Sequence, residues 1–404
     1  MRILRLGGFN LATSRFLDLI EKYDLERMII FLDEKEAHYI LDLYDTASFF
    51  GVGHLLKKLS IRKCSQLGAL SKALRKAGKS VHSRFLMRMA YLNLASQLKR
   101  CDSFDAVWIG DNDFDDSNDL FVATMPSFPK GIPIIRSYKE TRFIKRWEEF
   151  VTLSTVGHVI FPSRTYLDFF KDLYGLNLDK TSFADLDWRY SRTIRWVKSI
   201  ETEKLSEHDH RPHVCILTGR ALPDPSELRS GHRYYFIPVI KELIERGIAV
   251  HLHAARIVTD YLGRNLYAEI ARSSNHFHVE KPLKLTAGSD GYRILKRYDA
   301  GILHPRIPEG NRSLQRFQQI NIPNRIYEYQ IADVAPLVQA GTSKEVERVI
   351  ADTNFGIIFR DYDDLSMKLF ELVDGKIQNR LSTEKIRSYK DFADILIQAI
   401  KTMT

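Results

Sequence analysis

The chain has 404 residues, 44% hydrophobic and 27% charged, the balance of a folded protein with room for two domains rather than of a disordered or fibrous chain. No run of about 18 uncharged apolar residues occurs, which argues against a membrane-spanning helix. Cys64, Cys101 and Cys215 are too scattered for a disulfide framework or a metal knuckle and fit a reducing, cytoplasmic setting. The net charge of +9 has one source: residues 46–101 contain twelve Lys and Arg and no Asp or Glu, and the rest of the chain is slightly acidic.

In chain order, short apolar runs rich in β-formers alternate with helical periodicity. The N-terminus is apolar but carries Arg2, Arg5, Arg15 and Asp18, so it reads as a first strand and helix rather than a signal peptide. Strands are predicted at 2–6, 28–32, 106–109, 132–136, 158–161, 213–218, 249–253, 276–279, 300–304, 335–338 and 356–359. Helices are predicted at 14–23, 164–173, 236–246, 344–351 and 383–401. Such alternation calls for parallel sheets covered by helices. A polar stretch at 201–212 interrupts it and is followed at once by a new strand. That places a first domain at 1–205 and a second at 206–385, with a terminal helix at 386–404 free to cross back to the first.

Four groups of residues carry chemistry. Gly7-Gly8 follows the first strand, where glycines let backbone amides approach a phosphate or an acceptor; a tight turn alone explains them as well. After the strand ending Ile109-Gly110 comes Asp111-Asn112-Asp113-Phe114-Asp115-Asp116, a carboxylate cluster suited to a hard cation or to a solvated loop opening a helix. An EF-hand is excluded, because its glycine position holds Asp116 and its final glutamate position holds Val122. In the acid-free segment, Leu55, Leu56, Leu59 and Ile61 interleave with Lys57, Lys58, Arg62 and Lys63, and Leu67, Leu70 and Leu74 with Lys72, Arg75 and Lys76. This predicts amphipathic helices with cationic faces, fit for an anionic membrane surface or an anionic acceptor. No aromatic platform or nucleic-acid module accompanies them, so nucleic acid is not an expected partner.

The fourth group fills the second half. A strand ends in Thr218-Gly219-Arg220. Tyr298-Asp299-Ala300-Gly301-Ile302-Leu303-His304-Pro305 follows, then Pro323-Asn324-Arg325-Ile326-Tyr327-Glu328-Tyr329, then Gly356-Ile357-Ile358-Phe359. This order resembles the C-terminal donor domain of GT-B sugar transferases, in the retaining group that includes lipid and cell-envelope glycosyltransferases. In the first half, His158 to Ser163 resembles the family's strand-Pro-Ser.

The resemblance implies an α/β, GT-B-like fold of two Rossmann-like domains with parallel sheets facing an interdomain cleft. It implies a glycosyltransferase, hexosyltransferase-like and retaining, moving a sugar from a nucleoside diphosphate sugar to a glycan or lipid-linked acceptor, in the cytoplasm or peripherally on the inner membrane face. Arg220 would meet the diphosphate and Glu328 the ribose hydroxyls, with Gly219, His304, Asn324 and Arg325 completing the donor site. No cofactor or metal is required on this reading, since protein cations neutralise the diphosphate. If the reaction inverts, Glu140 is the candidate base.

The pattern departs from the family in several places. Ile320 stands where relatives have an earlier sugar-binding Glu, Asp333 replaces a Gly, and Pro336 falls one residue late. The basic residue expected soon after Gly-Arg is not obvious, with Arg229, His232 and Arg233 available. Residues 306–319 read as a polar loop over the donor. The alternatives are a non-catalytic carbohydrate or membrane-surface binding protein, a metal-dependent GT-A-type transferase using the Asp111 cluster, and a sugar-nucleotide epimerase.

Overall fold

A computed structural model describes residues 1–6, 16–32, 37–63, 103–110, 116–138, 147–184, 190–227, 231–304, 310, 312–377 and 389–404. The chain forms two compact units, Met1–Thr193 with Arg387–Thr404, and Ile194–Ile386. The sequence put the break twelve residues later, at the polar stretch; in the structure Ile194 and Val197 are already buried in the second unit's core.

In the first unit the strands are β1 (Arg2–Leu6), β2 (Arg27–Leu32), β3 (Leu59–Lys63), β4 (Ala106–Ile109), β5 (Ile134–Ser137), β6 (His158–Phe161) and β7 (Thr181–Phe183). The helices are α1 (Phe16–Tyr23), α2 (Ala37–Phe49), α3 (Asp116–Thr124), α4 (Trp147–Thr155), α5 (Arg164–Tyr174), α6 (Ser191–Ser199), which runs on into the second unit, and the terminal α15 (Tyr389–Lys401). All seven strands are parallel, in the order β3-β2-β1-β4-β5-β6-β7. Alternate residues of β1 enter opposite cores, Ile3 on one face and Leu4 and Leu6 on the other. Burial on both faces is why the strand reads as a continuous apolar run. The terminal helix α15 inserts Phe392, Leu396 and Ile400 into the first core, and its Asp394 binds Lys22 and Tyr23 of α1.

One expectation fails here. Residues 55–63 do not form an amphipathic helix. Gly53–Lys58 is a 3-10 turn in which Lys58 pairs with Asp24, and Leu59–Lys63 is the edge strand β3, in register with β2 from Met28↔Leu59 to Leu32↔Lys63. The period-two run Leu59-Ser60-Ile61-Arg62 fits that strand. Lys57 is exposed. Lys72, Arg75 and Lys76 lie outside the described residues, as do Gly7, Gly8, Glu140 and residues 111–115.

The second unit contains β8 (His213–Thr218), β9 (Ala249–Ala254), β10 (Phe277–Glu280), β11 (Ala300–Ile302), β12 (Ala335–Gln339) and β13 (Ile357–Phe359). Its helices are α7 (Ser206–Asp209), α8 (Ile237–Glu245), α9 (Leu266–Ser273), α10 (Gly291–Leu295), α11 (Arg312–Ile320), α12 (Arg325–Ile331), α13 (Lys344–Thr353) and α14 (Tyr362–Val373). The strands are parallel, in the order β10-β9-β8-β11-β12-β13. One face is covered by α8, α9 and α14, the other by α6, α10, α12 and α13. Residues 312–319, read as part of a loop, belong to the helix α11 (Arg312–Ile320): its polar residues mask an apolar stripe that buries Ile320. Among the described residues no helix is long and apolar enough to cross a membrane.

Candidate functional site

Both sheets reverse direction of travel once. In the second unit the chain lays down β8, β9 and β10 outward, then returns to place β11 on the other side of β8. Open α/β sheets bind ligands at the carboxyl ends of strands at this switch point. The residues after β8 and β11 include Gly219-Arg220 and His304, and residues of α11 and α12 also bear on the site.

Tyr329 of α12 fixes the geometry. Its buried ring lies over Gly301, where a Cβ would overlap the ring carbons. Its hydroxyl donates to the Ile302 carbonyl at 3.2 Å and accepts from the Leu217 amide at 3.3 Å, so it clamps β8 to β11. The helix therefore starts at the strand ends, and Arg325 on its first turn donates to the Leu217 carbonyl. Burial holds the Arg325 guanidinium below the ordinary arginine range, and the like charge of Arg233 pushes the same way.

His304 sits in the same field. The residue is partly exposed, but both ring nitrogens are buried and have no hydrogen-bond partner among the described residues. Burial lowers its pKa well below the usual histidine value, with Arg233 and Arg325 adding to the effect. Arg233 lies over the Phe317 ring of α11, 4.6 Å from its centroid. Two guanidiniums and an imidazole thus act on one another, and no carboxylate features among the groups that shift Arg325 or His304. Positive charge gathered at a strand-end switch point, with no carboxylate among the described residues shifting Arg325 or His304, suits an anion.

Glu328 lies one turn beyond Arg325 on α12, buried, and accepts a hydrogen bond from the Tyr292 hydroxyl at 2.6 Å. Asn324 precedes the helix without capping it, and its side-chain oxygen is buried with no hydrogen-bond partner among the described residues. Arg220 is exposed; Thr218 Oγ1 donates to its carbonyl at 2.6 Å and accepts from its amide at 3.3 Å, while its side chain has no partner among the described residues. The space beside Gly219 is open.

Of the residues predicted from sequence, His304, Arg325 and the end of β8 come together, with Glu328 on the next helical turn. Arg220's side chain is not drawn into that group. Among three basic residues offered by the sequence, Arg233 is the one that joins the cluster, and Arg229 lies outside the described residues. The buried amides of Gln318 and Asn321 escaped sequence reasoning: Gln318 lies on the helix read as a loop, and Asn321 just beyond it.

Asp333, in the family's glycine position, adopts a left-handed conformation with φ 55°. Its carboxylate binds Lys198 and, at 3.6 Å, Lys296, and its carbonyl accepts from Lys204 at 2.9 Å. An aspartate tolerates that backbone better than most residues, so the turn survives the loss of glycine. Among the described residues no group of three or more His, Cys, Asp or Glu could hold a metal ion.

No protein-family model and no curated protein matches the chain in sequence. Solved structures do match in shape. A glycosyltransferase from Rickettsia africae ESF-5 aligns with a TM-score of 0.55 at 11% identity, over 99% of this chain and 93% of that one. A UDP-N-acetylglucosamine 2-epimerase from Rickettsia bellii aligns at 0.54 and 11% identity, over 100% and 98%. Anabaena Alr3699/HepE, solved in complex with UDP, aligns at 0.53 and 11% identity, over 100% and 96%. With its seven- and six-stranded parallel sheets in two units, the chain has the GT-B fold.

Proposed function

We propose that the protein is a glycosyltransferase whose second unit binds a nucleoside diphosphate sugar at the switch point between β8 and β11. The observation that carries this reading is the cluster of Arg233, His304 and Arg325, in which no carboxylate among the described residues acts on His304 or Arg325. A diphosphate supplies the missing negative charge and lets two guanidiniums make charge-assisted hydrogen bonds. Glu328, one turn away, is a carboxylate of the kind that accepts from ribose hydroxyls. The UDP in the HepE complex supports uridine as the first base to try.

Catalysis on this reading is positioning plus stabilisation of the leaving diphosphate by Arg233 and Arg325. The bond from the anomeric carbon to the diphosphate oxygen breaks, and the acceptor oxygen takes its place. In a retaining reaction the departing phosphate oxygen takes the acceptor's proton; in an inverting one Glu140 is the proposed base. The acceptor, on the first unit, is a glycan or lipid-linked saccharide. The GT-A alternative loses its footing because the chain has two parallel-sheet units rather than one.

The test is calorimetric binding of uridine and guanosine diphosphates to wild type and Glu328→Ala, with and without manganese. Metal-independent binding that weakens at least tenfold in the variant supports the reading. Binding indifferent to Glu328, or none, sinks it. The likeness to the epimerase keeps a second reading in play: turnover of the donor without an acceptor, giving an epimerised sugar, would establish it.

A further inference from the structure

Beside the cationic cluster is a cavity of about 20 Å³ at the carboxyl ends of β11, β12 and β13. It lies on the α8 and α14 face. Val239, Ile302 and Leu337 form apolar walls, and His304 and Gln318 form its polar end. Gln318 is 4% exposed and its Oε1 is buried with no hydrogen-bond partner among the described residues. Both ring nitrogens of His304 are likewise unpartnered. Two other polar residues on the cavity are already engaged: Gln339 Nε2 donates to the Arg360 carbonyl at 2.9 Å and Thr342 Oγ1 to the Gln339 carbonyl at 2.6 Å. Buried polar groups are almost always paired, so this pair of side chains is built for something that enters.

We propose that His304 and Gln318 form a subsite for one unsubstituted hydroxyl group of the sugar whose diphosphate Arg233 and Arg325 hold. This rests on the donor reading above. The chemistry selects a hydroxyl. Gln318 Oε1 requires a hydrogen-bond donor, and a neutral imidazole offers one N–H and one acceptor nitrogen. A hydroxyl satisfies both residues: it donates to Gln318 Oε1 and accepts from the His304 N–H. A phosphate oxygen brings no donor and meets Gln318 Oε1 as acceptor against acceptor. Size excludes larger groups, because a water needs about 10–15 Å³ of such space and a nucleobase or an acetamido group several times more.

Position separates this hydroxyl from those of the ribose. Glu328 and Tyr292 belong to the opposite face of the sheet, with α10 and α12, whereas His304, Ile302 and the cavity belong to the α8 face. His304 is common to the cavity and to the arginine cluster, so a ligand anchored on the arginines has Glu328 on one side and the cavity on the other.

The experiment is titration calorimetry of the full chain with uridine diphosphate, guanosine diphosphate, UDP-glucose, UDP-galactose and GDP-mannose. At least one hexose conjugate should bind more tightly than its own diphosphate. Gln318→Leu should weaken that conjugate about tenfold and leave the diphosphate unchanged, and Gln318→Glu, which keeps the acceptor, should restore the gain. If Gln318→Leu does not fold, Gln318→Met takes its place with the same expectation. Undiminished conjugate binding in the variant would show that the cavity holds only a water, and equal loss of conjugate and diphosphate would show a general disturbance; either overturns the subsite while leaving the donor reading standing. Absence of any nucleotide binding to wild type would remove the donor reading first, and the subsite with it.

Discussion

Arg325 offers the sharpest separation of stability from binding. The residue is partly exposed but its charge is buried, its hydrogen bond goes to a neutral carbonyl, and Arg233 repels it. Replacing it with methionine, which matches its stem, forfeits that hydrogen bond but relieves the burial of charge, so the two changes offset to within about 1 kcal/mol in the unliganded protein. Toward a diphosphate the loss is one-sided. A charge-assisted hydrogen bond contributes about 1.5–3 kcal/mol, or about 50-fold in affinity at mid-range. With UDP at about 100 times the wild-type Kd, binding stabilises the fold by about 2.7 kcal/mol; the same concentration is only about twice the Kd of Arg325→Met and stabilises by about 0.6 kcal/mol. For a unit of roughly 190 residues, the UDP-induced rise in Tm should fall from about 5–10 °C to about 1–3 °C. Thermal denaturation followed by circular dichroism, with and without UDP, reads both quantities. A variant that keeps the full ligand-induced rise would refute the placement of the diphosphate on Arg325.

Three further outcomes follow from the geometry. Gly301→Ala drives a methyl into the Tyr329 ring and should cost about 1–3 kcal/mol in urea denaturation; Tyr329→Leu in the same chain should recover part of the loss, and an undisturbed single variant would contradict the clamp. Asp333→Ala removes the partner of Lys198 and Lys296 and leaves a residue poorly suited to φ 55°, so it should cost about 2 kcal/mol, whereas Asp333→Asn keeps the turn and should cost less; equal losses would show that the backbone conformation contributes little. The third concerns acid. His213 Nδ1 and His251 Nε2 lie 2.9 Å apart in the second unit, with Asp209 and Glu280 on their outer nitrogens and His278 stacked on His251. Burial, reinforced for His251 by the neighbouring histidines His278 and His213, lowers both pKa values, that of His251 to about 2. The unfolded chain then binds more protons than the folded one below the ordinary histidine pKa of about 6.5. Stability is complete above that pH and falls as the solution is acidified, by at most about 1.4 kcal/mol per pH unit for each histidine. A series of melting midpoints between pH 5 and 8 should show this slope and should flatten in His251→Gln; an unchanged slope in the variant would reject the assignment.

The sequence by itself determined the architecture. Every strand it announced is present, because a strand buried on both faces must be apolar along its length, and that run is visible without any knowledge of its neighbours. It did not announce β3 or β7. The first lies in a segment whose lysines and leucines also satisfy a helical pattern, and the three residues of the second are too few to show a period. Pairing to β2 and β6 makes them strands, and pairing is a long-range fact. The helix α11 was hidden for the opposite reason: its polar surface outweighs the few residues it buries. Within the site, the order Gly219-Arg220, His304, Asn324-Arg325, Glu328 was legible as a resemblance. Which of these share an electrostatic field was decided only by tertiary structure, since β8 and β11 are neighbours by topology and nearly ninety residues apart in sequence. The same crossover brings Arg233 to Arg325 and sets the amide oxygen of Gln318, unpaired among the described residues, beside His304, relations between side chains that no spacing along the chain encodes.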